Sequence, residues 1–465
     1  MFSKVGHVFT DFFKKNMPDA FIFALILTLI VALSSFFFVG SSWLIIIDSW
    51  YMGFWLLLEF GMQMVLLIVT GYTIALSPFI RNKINSLSRL IKTPSQVYFT
   101  VILLGLLVSM VSWGWIVIAA VLARELALRV KGINYPFLIA CAYISNGSWV
   151  TGLSSSIPLL LNTENNYLIK SEIIESTIPT AITLGSPLNL SVIILYLIFI
   201  PLLMILIRPK EDYSFEMKNY LIDDQPVQEI SIEKEANIQK LPFWALSDKL
   251  NNSFFLVLLI FIPALVYVFF HFLNKGFDLN LNIMIFIFLM LGLILHKSPL
   301  KYGIAMRRAS SNVSSILFQF PFYAGIMGIM IYTGLGETLA LKFAEISNIH
   351  TYPFFAFLIG GIVNFAIPSG GGEFAVIGPS IIEAVKVIGN DLPPEEIITM
   401  ISRASLSVAY GESLTNLLQP FYLLLIIPIM GAGTKIQARD VMGYLVIPFI
   451  LLFIIQSIFV TYMPM

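Results

Sequence analysis

The chain has 465 residues, of which 58% are hydrophobic, 14% aromatic and 12% charged, with a mean hydropathy of +0.88. Soluble domains carry about 25% charged residues, so this composition excludes a soluble globular protein and specifies an all-α polytopic membrane protein. Basic and acidic residues both number 27, leaving no surplus charge to attract nucleic acid, and the lone Cys141 excludes an intrachain disulfide or a cysteine metal cluster.

From the N-terminus, Phe2, Val5, Phe9, Phe12 and Phe13 alternate with Lys4, Lys14 and Lys15 at helical spacing. The pattern predicts a short interfacial helix within 1–19, lying on an anionic leaflet. The apolar run 20–39 spans about 30 Å as a helix, too long for a signal-peptide core, and it lacks a cleavage site. Segment 54–78 carries Glu59 and Gln63 four residues apart, with Thr70 two turns on. This polar stripe could line the permeation route or form a hydrogen-bonded seam between helices. Segment 97–123 is broken by Ser112-Trp113-Gly114-Trp115, whose indoles could wall an apolar pocket or pack a hairpin. Segment 136–161 is interrupted by Ser145-Asn146-Gly147-Ser148, with Thr151 and Ser154 to Ser156 beyond.

After segment 178–207 comes the long hydrophilic stretch 208–252, read as a cytoplasmic linker, and then segments 253–273, 281–296 and 313–336. Segment 351–388 holds the strongest break, Asn364-Phe-Ala-Ile-Pro368-Ser369-Gly370-Gly371-Gly372-Glu373. Lipid cannot satisfy freed backbone groups, so non-helical backbone at membrane depth survives only where protein or water covers it. Ser369 would offer its hydroxyl and the three glycines their N–H groups to an anion, beside the positive end of the restarting helix. Pro368 and Pro379 would fix where the arms stop and resume, and Asn364 would present a carbonyl to an ion or brace the hairpin. In segment 397–430, Tyr410-Gly411-Glu412-Ser413 with Asn416, Gln419 and Pro420 predicts a second unwound helix to match the one at Ser145 and Asn146. Oxygens there could coordinate Na+, Glu412 could carry a proton instead, or the small residues could simply permit close packing. Arg403 lies two turns earlier, placed to meet a carboxylate or to snorkel to the interface. Segment 441–462 completes a count of eleven.

Basic residues set the topology. Loops 1–18, 79–95, 124–135, 208–252, 297–312 and 431–440 hold 22 of the 27 Lys and Arg, so they are expected on the cytoplasmic side, with the N-terminus inside and the C-terminus outside. Segments 97–123 and 351–388 must then each return to their own side, as re-entrant hairpins. The halves also echo each other: Thr70-Gly71 matches Thr333-Gly334 and Ala142-Tyr143 matches Ala409-Tyr410, at offsets of 263 and 267 residues. This predicts a first repeat at 20–207, the linker 208–252, a connecting helix 253–273 and a second repeat at 274–465, each repeat of about five elements. An odd number of crossings separates the repeats, so the second is inverted, an arrangement that places substrate sites between paired broken helices.

Pro18-Asp-Ala-Phe-Ile-Phe-Ala24, Gly53-Phe-Trp-Leu-Leu-Leu-Glu-Phe-Gly-Met-Gln-Met64, Val69-Thr-Gly71, Phe320-Pro-Phe-Tyr-Ala-Gly325, Asn364 to Gly372, Gly378-Pro379 and Ala409-Tyr-Gly-Glu412 together resemble the bacterial short-chain fatty acid transporter family, over nearly the whole chain. The resemblance implies uptake of butyrate and acetoacetate across the inner membrane, membership of the ion transporter superfamily, and a homodimer with a scaffold and an elevator-type transport domain. Glu373 departs from it, since a neutral or histidine residue is expected after the glycines. The expected function is cation-coupled transport of a small organic anion, with H+ or Na+ as the coupling ion and no cofactor or metal site. Substrate contacts are assigned to Ser112, Trp113, Gly114, Pro368, Ser369, Gly370, Gly371, Gly372, Glu373 and Tyr410, and ion coupling to Ser145, Asn146, Asn364, Gly411, Glu412 and Asn416. A C4-dicarboxylate carrier and an anion channel are the alternatives. An enzyme is not expected: there is no Gly-x-x-x-x-Gly-Lys-Ser/Thr and no His-Glu-x-x-His, and the four histidines lie near segment ends.

Overall fold

The computed structural model describes residues 20–209, 213–222, 231–241, 243–276, 278–310, 314–365, 367, 370–419, 426–431 and 433–465. The interfacial segment 1–19 and Pro368, Ser369 and Pro420 lie outside the described residues. Apart from one isolated bridge between Leu221 and Thr434, the regular structure among the described residues is helical.

Helices start where the sequence supplies a capping oxygen followed by proline. Ser77, Thr93 and Ser186 accept from the N–H groups of Ile80, Gln96 and Asn189, and Pro78, Pro94 and Pro187 occupy the first helical position, where a missing N–H costs nothing. The first half comprises α1 (Ala20–Ser34), α2 (Trp43–Gly53), α3 (Leu58–Ala75), α4 (Pro78–Ser88), α5 (Pro94–Val111), α6 (Ile116–Arg129), α7 (Tyr135–Ser145), α8 (Ser156–Leu161) and α9 (Pro187–Leu206). After α10 (Ile232–Ile238) and α11 (Phe254–Lys275) come α12 (Leu281–His296), α13 (Pro299–Ser310), α14 (Ser314–Tyr332), α15 (Leu335–Ile346), α16 (Tyr352–Val363), α17 (Gly370–Ile388), α18 (Pro394–Thr415) and α19 (Val446–Tyr462).

Three sequence expectations need correction. Residues 40–53 and 297–312, read as connections, contain α2 and α13, which pack on α14 and α3. Each is shorter than the roughly 20 apolar residues that mark a crossing, so hydropathy misses them. The break at 364–373 is also narrower than expected, because Gly370, Gly371, Gly372 and Glu373 form the first turn of α17. Finally, Tyr410, Gly411, Glu412 and Ser413 are not unwound: α18 is regular through Thr415, and the interruption comes at Asn416–Leu418.

Packing runs in matched pairs. α1 lies on α14 as α12 lies on α3; α4 lies on α6 as α15 lies on α17; α5 lies on α7 as α16 lies on α18. The end of α9 covers α5, and α19 covers α16. α5 and α6 pack along each other and are joined by the tight turn Trp113–Trp115.

Polar contacts join loops 79–95, 124–135, 208–252, 297–312 and 431–440 to one another. At one end Arg129 donates to Ser88 Oγ at 2.7 Å, Lys301 pairs with Glu233 at 3.2 Å, Arg308 pairs with Glu235, and the Lys435 N–H donates to the Tyr220 carbonyl at 2.8 Å. There too the Gly132 N–H donates to Glu216 at 2.6 Å and, with Lys218, holds that carboxyl below the usual carboxylate range. At the other end Lys170 pairs with Glu59 at 2.8 Å, Lys275 with Glu164 at 3.3 Å, and the Lys342 ammonium lies 5.1 Å from the centre of the Phe38 ring. Arg403 is bonded to the carbonyls of Thr461 and Met463.

α16 packs closely against α18. A Cβ on Gly411 would lie 2.0 Å from the Phe357 carbonyl oxygen, and one on Gly360 2.5 Å from that of Val408, so the two backbones touch as small-residue membrane interfaces do. Gly411→Val should therefore lower stability by about 1–3 kcal/mol through overpacking, read as a lower melting temperature of the detergent-solubilised protein.

Candidate functional site

The end of α16, the start of α17, the end of α18 and the broken stretch after α7 converge. Asn364, where α16 stops, donates through Nδ2 to the Glu412 carbonyl at 2.9 Å, Thr415 Oγ1 at 2.8 Å and Asn416 Oδ1 at 3.2 Å. Gln419 donates to the Asn364 carbonyl at 3.2 Å and to Asn416 Oδ1 at 2.8 Å. Tyr143 of α7 donates to the Asn416 carbonyl at 2.6 Å. The interruption of α18 is thus satisfied by amides and a phenol, as buried backbone requires.

Glu412 is half engaged. Its Oε1 accepts from Asn416 Nδ2 at 3.2 Å, whereas Oε2 points at the first turn of α17, where a Cβ on Gly370 would lie 2.9 Å from it. That same point is 3.3 Å from Ser156 Oγ and 2.9 Å from the Trp149 ring. Glu412 is 1% exposed and Glu373 fully buried. Neither Glu373 oxygen, nor Glu412 Oε2, nor Ser155 and Ser156 Oγ, nor either polar atom of Asn146, has a partner among the described residues. Neither carboxyl has a basic partner there. One side of this polar group is apolar: a Cβ on Gly371 would lie 2.7 Å from the Phe60 ring and 3.1 Å from Met64 Sδ. Phe60 also lines a small cleft with Glu59, Gln63, Thr163, Tyr167 and Lys170, at the end of the molecule that carries Lys170 and Glu59.

The tip at Ser112-Trp113-Gly114 reaches the same region indirectly. The Trp113 N–H donates to Ser154 Oγ at 2.9 Å, the Leu153 N–H donates to the Met110 carbonyl at 2.6 Å, and Ser112 and Gly114 rest on Gly71 and Ile68 of α3. Residues 152–156 therefore link the two tips, with Ser154 on one and Ser156 beside the other. Trp115 stacks on Phe288 of α12 at 6.1 Å.

Other expected site residues point elsewhere. Tyr410 donates to Asn189 Oδ1 of α9 at 2.9 Å, Ser145 bonds to the Ala142 carbonyl of its own turn at 2.7 Å, and Gly411 serves helix packing. The polar stripe is divided: Glu59 pairs with Lys170, Gln63 donates to Asn282 of α12 at 2.9 Å, and Thr70 bonds to the Leu66 carbonyl at 2.7 Å. Phe60, Met64, Trp149 and Asn189 are the neighbours that residue-by-residue reading passed over. Phe60 and Met64 lie within the Gly53 to Met64 motif, which could have signalled them.

The family described as "Short chain fatty acid transporter" matches residues 1–463. A Haemophilus influenzae protein named "Putative short-chain fatty acid transporter" is 34% identical over 449 residues, 96% of each chain. An Escherichia coli K12 protein of the same name is 34% identical over 445 residues, again 96% of each chain. Among solved structures, the fold is similar to the Alcanivorax borkumensis YdaH transporter, with TM-score 0.51 and 15% identity over 85% of this chain and 83% of that one. It is also similar to Neisseria gonorrhoeae MtrF, described as an antimetabolite efflux pump, with TM-score 0.52 and 13% identity over 96% and 95% of the chains.

Because the first turn of α17 has no room on its Phe60 side, Gly371→Leu should abolish transport while the protein still inserts and purifies. Adding Phe60→Ala should restore part of it, and wild-type transport by Gly371→Leu alone would show that this turn is not at the site.

Proposed function

Since this chain belongs to the short-chain fatty acid transporter family, a family of transporters and not of enzymes, we propose that it is a secondary transporter of short-chain monocarboxylates such as butyrate and acetoacetate across the cytoplasmic membrane, coupled to H+ or Na+. The observation that carries this reading is the set of buried polar atoms without partners among the described residues, on Glu373, Glu412 Oε2, Asn146, Ser155 and Ser156, walled on one side by Phe60, Met64 and Trp149. A short acyl carboxylate has that polarity: one end needs hydrogen-bond donors, the other an apolar wall. The first turn of α17 adds its dipole and N–H groups to the donors.

In this reading 97–123 and 351–388 are re-entrant hairpins of an inverted repeat, the N-terminus is cytoplasmic and the C-terminus outside, and a homodimer forms through the scaffold. The polar contacts around the site, Asn364 with Glu412, Trp113 with Ser154 and Ser413 with the Gly147 carbonyl, lie within the moving unit. Its contacts with α3 and α12 at the tips include apolar ones, Gly371 with Phe60 and Met64, and Trp115 with Phe288. Apolar surfaces slide without leaving hydrogen bonds unmade, which suits elevator-type alternating access.

Labelled acetoacetate should enter proteoliposomes with saturation and accumulate against its gradient, and butyrate should compete better than succinate. Stronger competition by succinate would replace the monocarboxylate reading with a C4-dicarboxylate carrier, and unitary conductance would replace it with a channel. In a Cys141→Ala background, cysteines placed at Lys301 and Lys342 should react with impermeant reagent from opposite sides of the membrane.

A further inference from the structure

We propose that the cleft beside Phe60 is an outer recruiting site for the substrate anion, where Lys170 takes the carboxylate in exchange for Glu59 and Tyr167 donates to it. The inference rests on the transport reading above, whose topology turns this end of the molecule outward, and it concerns a step before the anion reaches the first turn of α17. The cleft lies between α3, which contributes Glu59, Phe60 and Gln63, and residues 160–170, which contribute Tyr167 and Lys170. Phe60 belongs to both places, because a Cβ on Gly371 would lie 2.7 Å from its ring.

Most polar side chains of the cleft are already used. Thr163 Oγ1 donates to the Leu159 carbonyl at 2.6 Å and accepts from the Leu281 N–H at 3.3 Å. Asn166 donates to the carbonyls of Leu160 and Thr163 and accepts from the N–H groups of Leu168 and Ile169. Gln63 donates to Asn282 Oδ1 at 2.9 Å. The Tyr167 hydroxyl, by contrast, is buried without a partner among the described residues, on a ring 5.7 Å from that of Phe60. Buried polar atoms are rarely left unpaired, and a carboxylate oxygen is an acceptor for this one.

The ion pair at the mouth is built to exchange. Lys170 and Glu59 are 2.8 Å apart, with side chains 54% and 60% exposed. A pair so wet contributes little, because water already solvates both partners before they meet. A carboxylate from solution offers Lys170 the same chemistry as Glu59 and can use the Tyr167 hydroxyl as well. Other lysines of the outward loops are engaged away from the cleft: Lys275 pairs with Glu164 at 3.3 Å, Lys386 pairs with Glu383 at 2.9 Å, and Lys342 lies over the Phe38 ring. The two members of the pair therefore act in opposite senses on an arriving anion: Lys170 attracts it, and Glu59 competes with it and repels it.

The test measures KM and maximal rate for labelled acetoacetate in right-side-out membrane vesicles holding the full chain. Lys170→Gln should raise KM about threefold or more, a larger change than in the maximal rate, whereas Glu59→Gln should lower KM by about the same factor. Tyr167→Phe, which keeps the ring beside Phe60, should raise KM too. Lys275→Gln removes the same charge from the same end but outside the cleft, and KM should stay at the wild-type value. In a Cys141→Ala background, Lys170→Cys should recover KM after an aminoethyl thiosulfonate, which restores an ammonium group, and not after the methyl analogue; this arm decides alone should Lys170→Gln fail to insert. KM moving the same way in Lys170→Gln and Glu59→Gln would mark the pair as a structural strut and overturn the proposal. So would a KM left unchanged by any of the three cleft variants, an equal shift in Lys275→Gln, or recovery of Lys170→Cys by both reagents or by neither. A wild-type protein that takes up neither acetoacetate nor butyrate would instead overturn the transport reading on which this rests.

Discussion

Lipid offers no hydrogen bonds, and the rest of this structure depends on that constraint. Wherever a helix stops at membrane depth, the protein itself must satisfy the released N–H and C=O groups. The breaks after α7, α16 and α18 are therefore drawn together: Tyr143 caps the end of α18, Asn364 braces it, and Ser413 donates to the Gly147 carbonyl in the other broken stretch. Convergence of the breaks makes the polar cluster, because residues recruited to satisfy backbone bring side-chain atoms that find no further partner. A buried cluster of unpartnered polar atoms follows from a solvation problem solved locally.

Close backbone approach is what lets the breaks meet. α16 and α18 touch through Gly360 and Gly411, at distances a side chain would forbid. Without a hydrophobic driving force between helices, such van der Waals contact and the amide bonds across it hold the pair. The same residues thus fix the geometry of Glu412 without touching a ligand. Gly411 is adjacent to Glu412 in sequence, so the packing face and the site face of α18 are one residue apart.

Much of this was legible in the sequence, for reasons that differ by residue. That loops 79–95, 124–135, 208–252, 297–312 and 431–440 lie together follows from where Lys and Arg fall, because charge is excluded from lipid. The breaks at Ser112 and at Pro368-Ser369 announce themselves through residues that cannot continue a helix. The regularity of α18 through Tyr410 and Glu412 was not legible: polar residues in an apolar segment suggest unwinding, yet here Tyr410 reaches Asn189 and Ser413 reaches Gly147 across helix interfaces, leaving the backbone ladder intact. α2 and α13 were missed because short helices packed on α14 and α3 show no long apolar run. Phe60 and Met64 were missed because an apolar side chain in a membrane helix carries no mark of what it faces; only the three-dimensional neighbour, Gly371, gives it meaning.

Glu373 is fully buried in the first turn of α17, and neither of its oxygens has a partner among the described residues. An acidic side chain in the first turn of α17 is favoured by the helix dipole, worth about 0.3–1 kcal/mol at an exposed site and up to about 2 kcal/mol where partly buried. That gain is small against the several kcal/mol for burying an unpaired carboxylate. The dipole alone therefore does not offset the burial of this side chain.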